Sequence, residues 1–299
     1  MLLATTTEDF HPFTSDHRER VRLCAEAGFR SIDLSLYTPA MGDPLFGADW
    51  QKAAEELLSY AERLGVRFVQ CHAPAVNCLA DYDKAVTLTE RAIEICGVLH
   101  IPIMVTHAGY DAATDEDAWR DGNLRFYRAL MPTAERNGVC VLVENSAHVN
   151  IKGYYLYDGK ALRAFFDAMN HPSFGVCWDT GHANMEGAQY EEILTLGDAL
   201  RAVHFNDNRG ERDEHLIPFM GTMNVNEVVH ALLDVGFRGP FTFEATSPFR
   251  PHRFWLGNRR AFPADERITH ATLDMQRALE RTLYETGRAI LSAYGLFEG

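Results

Sequence analysis

Runs of four to six apolar and β-branched residues recur along this chain, and segments with apolar residues at helical spacing separate them. The runs fall at 2–6, 31–36, 66–71, 102–106, 139–143, 174–178, 202–205 and 240–243. Helical patterns cover 15–27, 53–64, 83–99, 117–137, 158–169, 188–199 and 224–235, and a long helical tail begins near 264. In the second helix Ala53, Leu57, Tyr60, Ala61 and Leu64 share one face, charged residues stand between them, and Gly65 supplies a stop. Strands that alternate with helices form a parallel sheet, because a parallel crossover needs a dozen or more residues. Eight such units favour closure over an open sheet. No glycine-rich dinucleotide fingerprint follows an early strand, and no linker or low-complexity stretch divides the chain. The expectation is α/β, a single (β/α)8 TIM barrel over residues 1–299.

Composition narrows the function. A net charge of −14 argues against a surface made to hold nucleic acid, whose affinity for proteins comes largely from Lys and Arg. No window approaches the length of an apolar membrane span. The N-terminal stretch carries no basic region followed by a signal-length apolar core, so the cytoplasm is the expected location. The six cysteines, at 24, 71, 78, 96, 140 and 177, form no C-x-x-C pair. Three of them lie in strand-like runs, where cysteine behaves as a small hydrophobe, which argues against cysteine ligands.

In a (β/α)8 barrel the chemistry gathers where the C-terminal ends of the strands converge. Strand three ends in His72, strand four in His107, strand five in Glu144 and strand six in Asp179, with His182 three residues on. Strand seven contains His204, then turns through Asn206, Asp207, Asn208 and Gly210 before Asp213 and His215. Strand eight ends in Glu244. Nine metal-type side chains thus follow six successive strands. Imidazole and carboxylate at a buried strand end suit a divalent ion, because the ion offsets the cost of burying charge. The other eight histidines, at 11, 17, 100, 148, 171, 230, 252 and 270, fall elsewhere and are read as ordinary polar residues.

With these residues in place, the sequence resembles the xylose-isomerase-like barrels, a family of sugar and sugar-phosphate isomerases and epimerases that also includes zinc-dependent apurinic-site endonucleases. The resemblance runs from strand two to strand eight. It rests on His72-Ala-Pro, His107-Ala-Gly, Glu144-Asn, Asp179-Thr-Gly-His182, His204-x-x-Asp207, Asp213-x-His215 and Glu244. It implies that Glu144, Asp179, His204 and Glu244 bind one divalent ion, with Mn, Co, Mg and Zn all compatible, and that His182 contacts substrate. The endonuclease pattern would add His72 and His107 beside Glu144 at a second ion, and His182, Asp213 and His215 at a third, for three zinc ions. All nine positions are filled. Against the endonuclease stand the acidity of the chain and Ala75, where that branch carries a tyrosine that packs on DNA.

An ion on adjacent sugar oxygens acts as a Lewis acid on the carbonyl and acidifies the neighbouring C–H. Glu144 and Glu244 are the candidate pair to move the proton through an enediolate, which gives epimerisation or isomerisation. Two loops carry aromatic and basic residues suited to a phosphate, an aromatic glycoside or a partner subunit. From these and the turn after strand seven, Tyr154, Tyr155, Arg209, Arg250 and Trp255 are candidate substrate contacts. The expected partner is a small-molecule sugar, with homo-oligomerisation left open. The aromatic richness also motivates a metal-assisted β-elimination on an oxidised glycoside, which shares the proton-abstraction step.

Overall fold

Eight short parallel strands pair in chain order, and the last pairs with the first, so the sheet closes into a barrel. The computed structural model describes residues 1–39, 41–245 and 271–298. The strands are β1 (Leu3–Thr6), β2 (Ser31–Ser35), β3 (Arg67–His72), β4 (Ile103–Thr106), β5 (Cys140–Glu144), β6 (Phe174–Asp179), β7 (Leu200–Phe205) and β8 (Phe241–Phe243). The helices are α1 (His17–Ala27), α2 (Trp50–Arg63), α3 (Tyr82–Val98), α4 (Glu116–Asn137), α5 (Gly159–Met169), α6 (Thr180–Asn184), α7 (Tyr190–Leu196), α8 (Val225–Asp234) and α9 (Leu273–Ala293). Every residue of β2 and of β6 is buried. Helices cover one face and side chains fill the other, which is why the strands read as continuous apolar runs.

The alternation of a strand fixes what reaches the mouth. Val105, Leu142, Cys177 and Ala202 cluster apart from the main core as an apolar plug inside the barrel, flanked by Ile103 and Cys140. Two residues further along the chain stand Glu144, Asp179 and His204 on their strands and His107 just past the end of β4. Residues i and i+2 share a face, so these four point inward one layer above the plug. The ligand-type residues are the polar top of the barrel interior.

Two segments differ from the sequence pattern. The helical stretch 188–199 resolves into α7 and a 3-10 turn, Gly197–Ala199. The short helix α6, unmarked by periodicity, starts directly after β6 because the Asp179 carboxylate accepts the His182 N–H as an N-cap. The tail expected near 264 begins as α9 at Leu273, with Thr272 as its cap; residues 264–270 lie outside the described residues. Gly28 allows α9 to close against α1: its φ is 122°, and a Cβ there would lie 2.8 Å from the Tyr284 ring. Among the described residues no helix is long and apolar enough to cross a membrane.

Between α9 and the barrel wall two carboxyls are buried together. Glu280 accepts a hydrogen bond from the Thr5 hydroxyl at 2.6 Å, and Asp9 lies beside it, 3% exposed. The other charges facing Asp9, from Glu8 and Glu244, are also acidic. Burial and the Glu280 charge push the Asp9 carboxyl well above the usual range, and burial raises Glu280 too. The pair therefore shares a proton that the unfolded chain has already released. That stabilisation is complete below about pH 4 and is lost as pH rises through the raised values. Glu280→Gln keeps an acceptor for Thr5 and gives Asp9 a permanent N–H donor. It should stabilise the protein by about 1–3 kcal/mol at pH 8 and flatten the alkaline loss. Urea unfolding at pH 5 and pH 8 checks this, and a variant no more stable than the parent at pH 8 would refute the shared proton.

Candidate metal centre at the barrel mouth

Each strand end delivers its expected side chain. His204 lies at the centre: its Nδ1 is 2.8 Å from Glu144 Oε1 and 3.1 Å from Glu244 Oε2. Asp179 is level with His204, since the two are register partners on β6 and β7. One ligand atom from each of Glu144, Asp179, His204 and Glu244 falls within 4.8 Å of the others. The same closure holds for His72, His107 and Glu144, and for His182, Asp213 and His215. All nine sequence candidates are thus brought together as three adjoining clusters, with Glu144 common to the first two.

Local structure aims these groups. The Asn145 side chain accepts the Asp179 N–H at 2.7 Å and donates to the Asp179 carbonyl at 3.0 Å, which locks β5 to β6 at the mouth. The Asp179 carboxylate accepts the His182 N–H at 2.6 Å and the Asn206 amide at 2.7 Å. Gly181 makes this possible, because a Cβ there would fall 1.8 Å from Asn206 Oδ1. The motif Asp-Thr-Gly-His therefore has a steric basis: the glycine admits the side chain that orients the aspartate.

The donor set fits a cation. His72 Nδ1 faces the Ala73 carbonyl at 3.0 Å, and His215 Nδ1 faces the Glu244 carbonyl at 2.7 Å. A carbonyl only accepts, so in both rings Nδ1 carries the proton and Nε2 presents a lone pair. Those lone pairs face Glu144 Oε2 at 3.5 Å and Asp213 Oδ1 at 3.0 Å. Neither carboxylate oxygen accepts a hydrogen bond from any described residue. Lone pair against carboxylate is repulsive unless a proton or a metal ion stands between them. Burial alone would lower the His215 imidazole, yet Asp213 beside it pushes it up to about 9, so a proton fills the role when no metal does. Burial would likewise raise Glu144, but His204 and His107 hold it well below the usual carboxylate range. Glu244 is held down at about 2 by His204 against the opposing effect of burial. Asp179 goes the other way, raised to about 6 by burial.

Several residues were not marked by the sequence pattern. Gln70 places its side-chain nitrogen 2.7 Å from His204 Nε2, and Tyr37 sets its ring edge-on to His72 at 4.9 Å. Cys177, one of the cysteines whose strand-like setting argued against a ligand role, also comes within reach of Glu144 and His204. Burial lifts its thiol to about 12, so it stays neutral and the carboxylate–imidazole set remains the better cation site.

The candidate substrate contacts fare differently. Tyr154 is buried; its hydroxyl donates to the Glu144 carbonyl at 2.5 Å and accepts the Ala108 N–H at 3.2 Å. The Tyr155 hydroxyl donates to the Thr114 carbonyl at 2.9 Å, and its ring packs on Trp119. Both tyrosines brace loops, the proton of each hydroxyl being committed to a main-chain carbonyl. Arg209 is exposed and paired with Glu214 on its own turn. Arg250 and Trp255 lie outside the described residues. Asp207, part of the resembling motif, binds backbone: its carboxylate accepts the N–H groups of Asn208, Phe219, Gly221 and Met223.

Known proteins share this architecture. L-ribulose 3-epimerase from Methylomonas sp. (strain DH-1) is 35% identical over 243 residues, which cover 77% of this chain and 78% of that one. A probable endonuclease 4 of Nitrosopumilus maritimus is 30% identical over 166 residues, 48% of this chain and 57% of that one. The chain spans little more than half the length of several curated relatives it matches. The crystal structure of the IolI protein with a bound zinc atom superposes over all of both chains with a TM-score of 0.77 at 15% identity. Residues 21–276 match the family described as Xylose isomerase-like TIM barrel. With a closed eight-stranded barrel and a match across most of its length, this chain belongs to the xylose isomerase-like TIM barrel family.

Proposed function

We propose that the protein is a divalent-metal-dependent isomerase or epimerase of a sugar or sugar derivative. The observation that carries this reading is the pair of carboxylates, Glu144 and Glu244, on the same nitrogen of His204 at 2.8 and 3.1 Å. They come from non-neighbouring strands, β5 and β8, and so can approach a substrate from separate directions.

Glu144, Asp179, His204 and Glu244 would hold the ion, which when bound supplies Lewis acidity to the substrate carbonyl. One glutamate removes the proton beside the carbonyl to give the enediolate, and the other returns it. Return to the opposite face of the same carbon gives the epimer; delivery to the neighbouring carbon gives the isomer. The imidazoles around them hold both groups below the usual carboxylate range, so both stand ionised at neutral pH. His182, 5% exposed, lies between Asp179 at 3.5 Å and Asp213 at 3.3 Å and is the hydroxyl-contacting residue. The sugar epimerase relative supports the same reading.

A second reading, zinc-dependent cleavage at abasic sites, is favoured by the closure of all three clusters and by the endonuclease relative. Metal content separates the two. Near one equivalent per chain, with sugar C–H exchange in heavy water that stops on chelation, is the outcome expected for the isomerase or epimerase. Near three zinc ions, with cleavage of an abasic duplex and no exchange on any sugar, would overturn it.

A further inference from the structure

Tyr154 and Tyr155 commit their hydroxyl protons to main-chain carbonyls. Tyr37 is a third tyrosine at the mouth, just after β2, and its hydroxyl has no hydrogen-bond partner among the described residues. The rest of the residue is held firmly. Its N–H donates to the Ser35 hydroxyl at 3.2 Å, Ser35 donates in turn to Glu8 at 2.8 Å, and its carbonyl accepts the Ala75 N–H at 2.9 Å. Its ring stands edge-on to His72 and His107, with centroids 4.9 and 6.1 Å away. Tyr37 is 39% exposed, so a pinned aromatic ring offers an uncommitted phenol at the opening of the barrel.

The position of Tyr37 in the ring of strands gives this phenol its meaning. The four residues assigned to the ion come from β5 to β8, one half of the closed sheet. β2 lies four strands from β6 in either direction, so Tyr37 stands across the mouth from Asp179 and His182. A sugar held on the ion fills the space between those two walls. The carboxylates that face the Tyr37 hydroxyl are those of Glu244, Glu144 and Glu8, and the first two are the proposed proton carriers. A phenol is protonated at neutral pH and so brings an O–H donor to that space.

We propose that Tyr37 is a specificity-determining residue whose hydroxyl donates to a sugar oxygen that is not on the ion. The proposal rests on the metal-dependent sugar reading above. It defines the ligand class more narrowly: a ketose or aldose with at least one hydroxyl beyond the two adjacent oxygens that the ion takes. His182 contacts the sugar from one wall and Tyr37 from the other. An oxygen remote from the reacting carbon changes little in charge during proton transfer, so the Tyr37 contact is equally strong in the bound substrate and in the transition state. Its loss therefore appears in KM and leaves kcat nearly unchanged.

Tyr37→Phe tests this, because it keeps the ring against His72 and removes only the hydroxyl. Deuterium exchange from heavy water into L-ribulose should show KM raised about 3–10-fold, the worth of one hydrogen bond, with kcat within about twofold of wild type. Hydroxyacetone has only two oxygens, both of which the ion takes, so its exchange should show the same kcat/KM in the two proteins. Ribitol, which keeps the hydroxyls of L-ribulose and has no carbonyl, should bind the variant about 3–10-fold more weakly by calorimetry. An unchanged KM for L-ribulose with unchanged ribitol affinity would show that the hydroxyl touches no sugar and would overturn this inference alone. Equal losses on L-ribulose and hydroxyacetone would also overturn it, since the hydroxyl would then act through its neighbours. A wild-type protein that holds no divalent ion and exchanges no proton into either ketone would overturn it together with the catalytic reading, so the failures are distinguishable.

Discussion

Glu244→Gln is expected to lower turnover about 10²–10⁴-fold while the melting temperature stays within a few degrees of the parent. The amide cannot accept a proton, and it replaces a carboxylate held near 2 by His204 with a neutral group. The fold should tolerate the change because the Glu244 side chain is 19% exposed and its main-chain carbonyl, which holds His215, is untouched. Glu144→Gln should cost at least as much and also reduce metal content, since this side chain serves two clusters. Solvent-deuterium exchange into the sugar, measured beside circular dichroism, separates lost chemistry from lost structure. Full exchange rates in both variants would sink the acid–base pair.

The second large effect concerns stability. Asp207 is completely buried just beyond β7 and accepts four backbone N–H groups at 2.8–3.1 Å. Its own backbone pairs with Leu216 in both directions, at 2.9 and 2.7 Å, which closes residues 208–215 into a loop. That loop carries Asp213 and His215; His215 within it and Phe219 just beyond it have φ of 46° and 77°. Non-glycine residues accept such angles only when their surroundings impose them. Asp207→Ala strands several buried donors at once and should cost about 3 kcal/mol or more, or roughly 5–10 °C in melting temperature. The same variant should lose any ion held by the His182, Asp213 and His215 cluster while retaining the four-ligand ion. Differential scanning calorimetry and metal analysis check both parts. An unchanged melting temperature would show that the loop holds its shape without this carboxylate.

The barrel and its nine mouth residues were legible because both follow from strand periodicity. A parallel strand buried on both faces leaves an apolar run, and the residue that ends it faces the mouth. The supporting residues were not legible. Gln70 reads as one polar residue inside an apolar strand, and only its parity with His72 hints that both point inward. Asp207 has the same character as the ligands on either side of it, and sequence does not show that four N–H groups from as far as residue 223 converge on it. Tyr154 and Tyr155 looked like binding residues because aromatic side chains near a mouth serve walls and braces equally. What distinguishes them is a hydroxyl partner on a distant main chain, at Glu144 and Thr114. Asp9 and Glu280 are nearly the whole chain apart and carry no local signal.

The sharing of Glu144 between two clusters has a consequence for what the mouth can attract. The three clusters contain only four carboxylates, from Glu144, Asp179, Asp213 and Glu244, because the second cluster brings two neutral imidazoles and borrows its only anion. With a single dication at His204 the four carboxylates formally keep two negative charges between them, and protons on imidazoles such as His215 offset part of that remainder. With three dications the sign reverses, and the same nine side chains become an anion trap. The number of ions seated, more than the identity of their ligands, would set the charge that an incoming ligand meets at the mouth.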